Sequence, residues 1–90
     1  MLNVEFSKYT EKFLKKLPPK HKKQVVNKSL DLSKNPFPPD SKILEGFPGF
    51  FRTDFGEYRI IYRVSPPILN ITFIGKRNDD EVYRRFKRLF

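Results

Sequence analysis

Cysteine and tryptophan are absent from this 90-residue chain, and histidine and methionine occur once each. Without cysteine there is no disulfide framework, no thiolate metal site and no thiol nucleophile. A single histidine, His21, excludes a paired-histidine metal site or acid–base couple, and its lysine neighbours mark it as a surface residue. The four glycines are scattered, so there is no glycine-rich loop to cradle a phosphate. Carboxylates are few and dispersed, which argues against a metal held by oxygen ligands. No run approaches the about 20 apolar residues of a membrane span. The start, Met1-Leu2-Asn3-Val4-Glu5-Phe6, lacks the basic and long apolar regions of a secretion signal. The expectation is a cytoplasmic protein with no membrane segment, no metal and no small-molecule cofactor.

What the chain has in excess is positive charge. Nineteen Lys and Arg against ten Asp and Glu leave it at +9. Residues 1–34 carry nine basic and three acidic groups, 35–71 four of each, and 72–90 six and three. Both ends are therefore basic around a neutral middle, the footprint of a protein that meets a polyanion. Ten Phe and four Tyr supply the core. A chain this short buries only roughly 60% of its unfolded surface, and bulky rings fill such a core most densely. One domain over 1–90 is expected.

Leu2, Val4 and Phe6 alternate with polar residues, which predicts a short strand. Ser7 is a candidate N-cap for a helix whose stripe is Tyr9, Phe13, Leu14 and Leu17. Pro18-Pro19 stops it and opens a second helix to about Lys34, with Val25, Val26, Leu30 and Ser33 turned inward. A proline-rich connector over 35–40 follows. Three strand-like runs, Phe50–Phe55, Tyr58–Val64 and Leu69–Ile74, are separated by Gly56-Glu57 and Pro66-Pro67. A two-residue hairpin at Gly56-Glu57 pairs Asp54 with Arg59 and Phe55 with Tyr58. Phe51, Thr53 and Phe55 then join Tyr58, Ile60, Tyr62 and Val64 beneath the helices. Arg52, Asp54, Arg59 and Arg63 share the other face, expected open, with Phe50 its one clear aromatic. A three-residue loop would reverse this parity. Asp79 or Asp80 can cap a last helix with Val82, Tyr83, Phe86, Leu89 and Phe90 as its stripe. The expected fold is α+β in the order β-α-α-β-β-β-α: a small antiparallel sheet, two helices on one face and a short C-terminal helix.

Phe50-Phe51-Arg52, the run from Gly56 to Val64 and Gly75-Lys76-Arg77 through Val82-Tyr83 resemble the RelE family of toxins from prokaryotic toxin–antitoxin pairs. Leu17-Pro18, Asn35-Pro36 and Leu44-Glu45-Gly46 fall where that family has its Leu-Pro, Asn-Pro and Leu-x-Gly landmarks. The resemblance covers essentially the whole chain. It implies a ribosome-dependent endoribonuclease that cuts mRNA in the A site, using the RNA's own 2′-OH as nucleophile and no metal. By that resemblance Arg59 stabilises the phosphate, and Arg77 stabilises charge or aids leaving-group protonation. Tyr83 stacks on a base or moves a proton, and Arg52 is the basic residue of the preceding strand. A packing role for Tyr83 stands beside the catalytic one, because it lies on the apolar stripe of its helix. Lys20, Lys22, Lys23, Arg63, Lys76 and Arg84 are the candidate contacts to RNA and ribosome. The implied partner is an acidic antitoxin, expected to cover or displace the C-terminal helix.

Asp54 departs from the family, which commonly has a basic residue there; it either holds Arg59 in place or cancels charge that the phosphate needs. Strand parity sets Lys76 and Arg77 on opposite faces, and a bulge at Gly75 is one way to re-aim Arg77. Two other functions compete: a ParE-like toxin that inhibits DNA gyrase without cleaving RNA, and a non-catalytic RNA- or ribosome-binding module.

Overall fold

In a computed structural model, which describes residues 1–77 and 81–89, the elements run β1 (Asn3–Phe6), α1 (Lys8–Lys15), α2 (Pro19–Lys34), β2 (Lys42–Ile43), β3 (Phe50–Phe55), β4 (Tyr58–Ser65), β5 (Ile68–Lys76) and α3 (Glu81–Leu89). The strands form one sheet in the order β1-β5-β4-β3-β2. The α+β class and the element order are those expected, with two refinements. The sheet is mixed, because β1 lies parallel to β5 while the other pairs are antiparallel. A parallel pair needs a long crossover, and everything between these two strands supplies it. The second refinement is β2, a two-residue edge strand whose Lys42 and Ile43 pair with Arg52 and Phe51. Two residues carry no periodicity, so nothing in the sequence marks it.

The helical hairpin starts as its residues dictate. The Ser7 side chain accepts from the Thr10 N–H at 3.1 Å and so caps α1. Pro19 sits at the first position of α2, where its missing N–H costs nothing. The buried stripe of α2 is Val25, Ser29, Leu32 and Ser33. Leu30, expected inside, is 46% exposed, and Leu32 takes the buried place. The small Ser29, whose hydroxyl donates to the Val25 carbonyl at 2.9 Å, satisfies its polar group within the helix and rotates the stripe.

The hairpin of β3 and β4 has the two-residue loop, with Gly56 at φ +53°, and the pairings Asp54↔Arg59 and Phe55↔Tyr58 hold. Phe51, Phe55 and Val64 therefore pack with Tyr58, Ile60 and Tyr62 under α1 and α2, around Leu14, Val25, Leu32, Leu69 and Ile71. The β4–β5 pairing steps from Ile61↔Phe73 to Tyr62↔Ile71, leaving Thr72 unmatched in a bulge. Ser7 Oγ donates to the Thr72 carbonyl at 2.6 Å and Thr10 Oγ1 to that of Ile71 at 2.9 Å. The residues that begin α1 thus satisfy the carbonyls that the bulge exposes.

The opposite face is not open. Val82 and Phe86 of α3 pack with Leu44, Ile61 and Phe73 into a second cluster, joined by Phe47 and Phe50. The Phe86 ring lies 4.9 Å from Phe47 and 5.2 Å from Phe50, edge-on to both. Phe50 is consequently a packing residue rather than a stacking platform. Gly75 is what lets the helix close down: a Cβ there would stand 2.8 Å from the Val82 Cβ. Its role is close approach rather than the bulge that was one way to re-aim Arg77, and the bulge of this strand lies at Thr72. The proposed caps Asp79 and Asp80, and Phe90 of the expected stripe, lie outside the described residues.

Candidate active site

Cross-strand geometry assembles the polar group. Asp54 and Arg59 are direct partners across β3 and β4, close enough for side chains to meet. Arg59 grips the carboxylate at two points, Nε to Oδ1 at 2.6 Å and Nη2 to Oδ2 at 2.9 Å. Such a fork-on-carboxylate contact fixes plane as well as distance. The third nitrogen, Nη1, donates to the Tyr83 hydroxyl, and the guanidinium carbon stands 5.2 Å from the Tyr83 ring centre. Tyr83 also packs against the α3 cluster, so its ring is structural while its hydroxyl faces the arginine.

The electrostatics follow from this convergence. The hydrogen bonds from Arg59 hold the Asp54 carboxyl below its ordinary value against the opposing effect of burial, with the charges of Arg59, Arg52 and Arg77 adding to them. The same contact pushes the Arg59 guanidinium up. The Asp54 and Arg59 side chains are only 29% and 16% exposed, so water screens the pair weakly. Arg77 follows β5 with no register shift at Gly75. Its N–H donates to the Glu57 carbonyl at 2.8 Å, one residue past the strand, and its charge reaches Asp54.

Beside this group a cleft of ≈ 300 Å³ is walled by Ile43, Leu44, Glu45, Arg52 and Tyr83. The edge strand and the loop after it build one side of that cleft. No periodicity in the sequence marks this cleft, although Leu44 and Glu45 belong to the Leu44-Glu45-Gly46 landmark.

Of the residues expected to act, the fold gathers Arg52, Arg59 and Tyr83 on one face, and Arg77 follows β5 with its charge felt at Asp54. The others are spread out. Arg63 lies four residues along β4 from Arg59, its guanidinium 5.6 Å from the Phe50 ring centre. Arg84 is exposed on α3 next to Tyr83. Lys76 pairs with Tyr58 and so belongs to the helix side. Lys20, Lys22 and Lys23 are exposed on the first turns of α2, also on the helix side. Between them, His21 is not a plain surface residue: its Nδ1 is 2.6 Å from the Tyr58 hydroxyl and its ring stands edge-on to that of Tyr58. Burial pushes the Tyr58 phenol up, and the histidine gives its hydroxyl a partner. Among the described residues no cluster of three His, Cys, Asp or Glu side chains could hold a metal ion.

Solved structures share the fold. A chain of the toxin–antitoxin complex RelBE2 from Mycobacterium tuberculosis superposes with a TM-score of 0.74 at 29% identity, over 84% of this chain and 98% of that one. The archaeal RelE–RelB complex from Pyrococcus horikoshii gives 0.73 at 28% identity, over 84% and 94%. The isolated E. coli RelE toxin gives 0.74 at 23% identity, over the full length of both chains. The fold is that of the RelE toxins. No family model and no curated protein matches the chain. On this RelE fold the strand arginine Arg59 and the α3 tyrosine Tyr83 lie in contact, and Asp54 is the third member of the same group.

Proposed function

We propose that this chain is the toxin of a type II toxin–antitoxin pair and acts as a ribosome-dependent endoribonuclease that cuts mRNA in the A site. The structural match to RelE toxins, alone and bound to RelB, supports the toxin role and an antitoxin partner. The single observation that carries the nuclease reading is the joining of Arg59 to the Tyr83 hydroxyl, with Arg52 lining the cleft alongside and the charge of Arg77 close by. In the reaction the 2′-OH loses its proton to solvent as its oxygen bonds to phosphorus, the bond to the 5′ oxygen breaks, and a 2′,3′-cyclic phosphate and a 5′-OH result, the protein regaining its donated proton from solvent. A cluster of planar cations is suited to the extra negative charge of the pentacoordinate state. The Tyr83 oxygen accepts from Arg59, so its own O–H remains to protonate the departing 5′ oxygen. No step calls for a metal or a nucleophile from the protein.

The antitoxin is proposed to be acidic and to cover or displace α3, which is held by a short stripe of Val82 and Phe86. The test adds purified protein to ribosomes programmed with mRNA and maps new 5′ ends by primer extension, beside Arg59→Ala and Arg77→Ala. Cuts within the A-site codon that vanish in both variants support the reading. Intact mRNA with the wild-type protein overturns it and turns attention to gyrase.

A further inference from the structure

Asp54 is the carboxylate that Arg59 contacts, on a protein whose balance is +9. Two roles are open to it: to occupy Arg59 in place of a phosphate, or to aim it. Counting donors decides between them. A guanidinium has five N–H bonds. Asp54 takes the one on Nε and one on Nη2, and Tyr83 takes one on Nη1. Two remain, one on each terminal nitrogen, enough to hold two phosphate oxygens while Asp54 stays in place. The carboxylate therefore does not use up the fork. It removes rotamer freedom from a long, flexible side chain.

Charge points the same way. Arg52, Arg59 and Arg77 all act on Asp54, and without an anion among them three like charges repel and splay. Asp54 also lies directly across the ladder from Arg59, so the backbone itself fixes the clamp.

We infer that Asp54 is a positioning residue for RNA cleavage, gripping the Nε–Nη2 edge of Arg59 so that its terminal donors and the Tyr83 hydroxyl are aimed before the scissile phosphate arrives. The inference rests on the nuclease reading and names a residue that acts only through Arg59.

The experiment measures single-turnover cleavage on programmed ribosomes against toxin concentration, for the wild type, Asp54→Asn, Asp54→Ala, Asp54→Glu, Arg59→Ala and the Asp54→Ala/Arg59→Ala double variant. Misaimed catalytic groups lose rate steeply, about 10- to 100-fold for a displacement of an ångström. The maximal rate of Asp54→Asn and Asp54→Ala is expected to fall by that factor. The half-saturating concentration stays constant or drops, since each variant carries one negative charge fewer. Asp54→Glu recovers part of the rate. In the Arg59→Ala background Asp54→Ala changes nothing further. Circular dichroism of Asp54→Asn, the nearly isosteric variant, separates misaiming from misfolding. Equal or faster maximal rates in Asp54→Asn and Asp54→Ala, or additive losses in the double variant, overturn the inference while the nuclease reading stands. Intact mRNA with the wild type removes the nuclease reading, and the inference with it.

Discussion

On the helix side of the sheet Ile60, Tyr62, Leu69 and Ile71 are wholly buried, and the polar groups that enter are hydrogen-bonded there. On the other side the cover is partial. The second cluster, with Phe86 wholly buried at its centre, shares its face with Arg52, Asp54, Arg59 and Tyr83. Arg59 and Ile60 are consecutive residues of β4, yet one belongs to the charged group and the other to the main core. The lesson is a division of labour imposed by strand parity. The face that two helices seal carries the stability, which leaves the other free to hold converging cations that repel one another.

Paired variants of those neighbours break the comparison most sharply. Ile60→Ala leaves a cavity in the main core and should cost about 2–5 kcal/mol, read as a lower midpoint in urea. Arg59→Ala should lower that midpoint by less than Ile60→Ala, through the unpaired Asp54 carboxylate, and lower cleavage about 100-fold or more, the scale of removing one donor from a charge-stabilising site. Gly75→Ala tests the partial cover. Its Cβ meets Val82 at 2.8 Å, and overpacking of this kind costs about 1–3 kcal/mol. The loss should appear as faster amide exchange over 81–89 while α1 and α2 stay protected.

A smaller effect is expected at Tyr62, whose hydroxyl donates to the Pro36 carbonyl at 2.6 Å and ties the connector to the core. Tyr62→Phe should cost about 1 kcal/mol in the same urea assay. The smallest is acid sensitivity. The folded-state pKa of Asp54 lies below the ordinary 3.8, so its contribution is complete above that value and is lost as pH falls through the lower one. Asp54→Asn should therefore flatten the acid limb of stability below pH 3.8 and leave the neutral region without a new titration.

Much of this was legible from residue order. Two-residue alternation and the Gly56-Glu57 turn give the correct register of β3 and β4, hence the meeting of Asp54 with Arg59. Ser7 and Pro19 mark helix starts because capping is a local property. The misreadings share a cause. Leu30 looks more apolar than Ser29, but Ser29 is the one buried, its hydroxyl satisfied by the Val25 carbonyl within the helix. His21 among lysines looks solvated, yet the helix carries it onto Tyr58. The arginine face looks open, because no local signal says that α3 folds back over Gly75.

The sequence by itself determined the periodicities, the caps, the hairpin parity and the basic balance, since each depends on residues near one another in the chain. Tertiary structure alone decided that β1 lies parallel beside β5, that α3 covers part of the arginine face, and that Tyr83 reaches Arg59. Those choices depend on which surfaces, distant in sequence, bury the most apolar area together, and no local window contains that comparison.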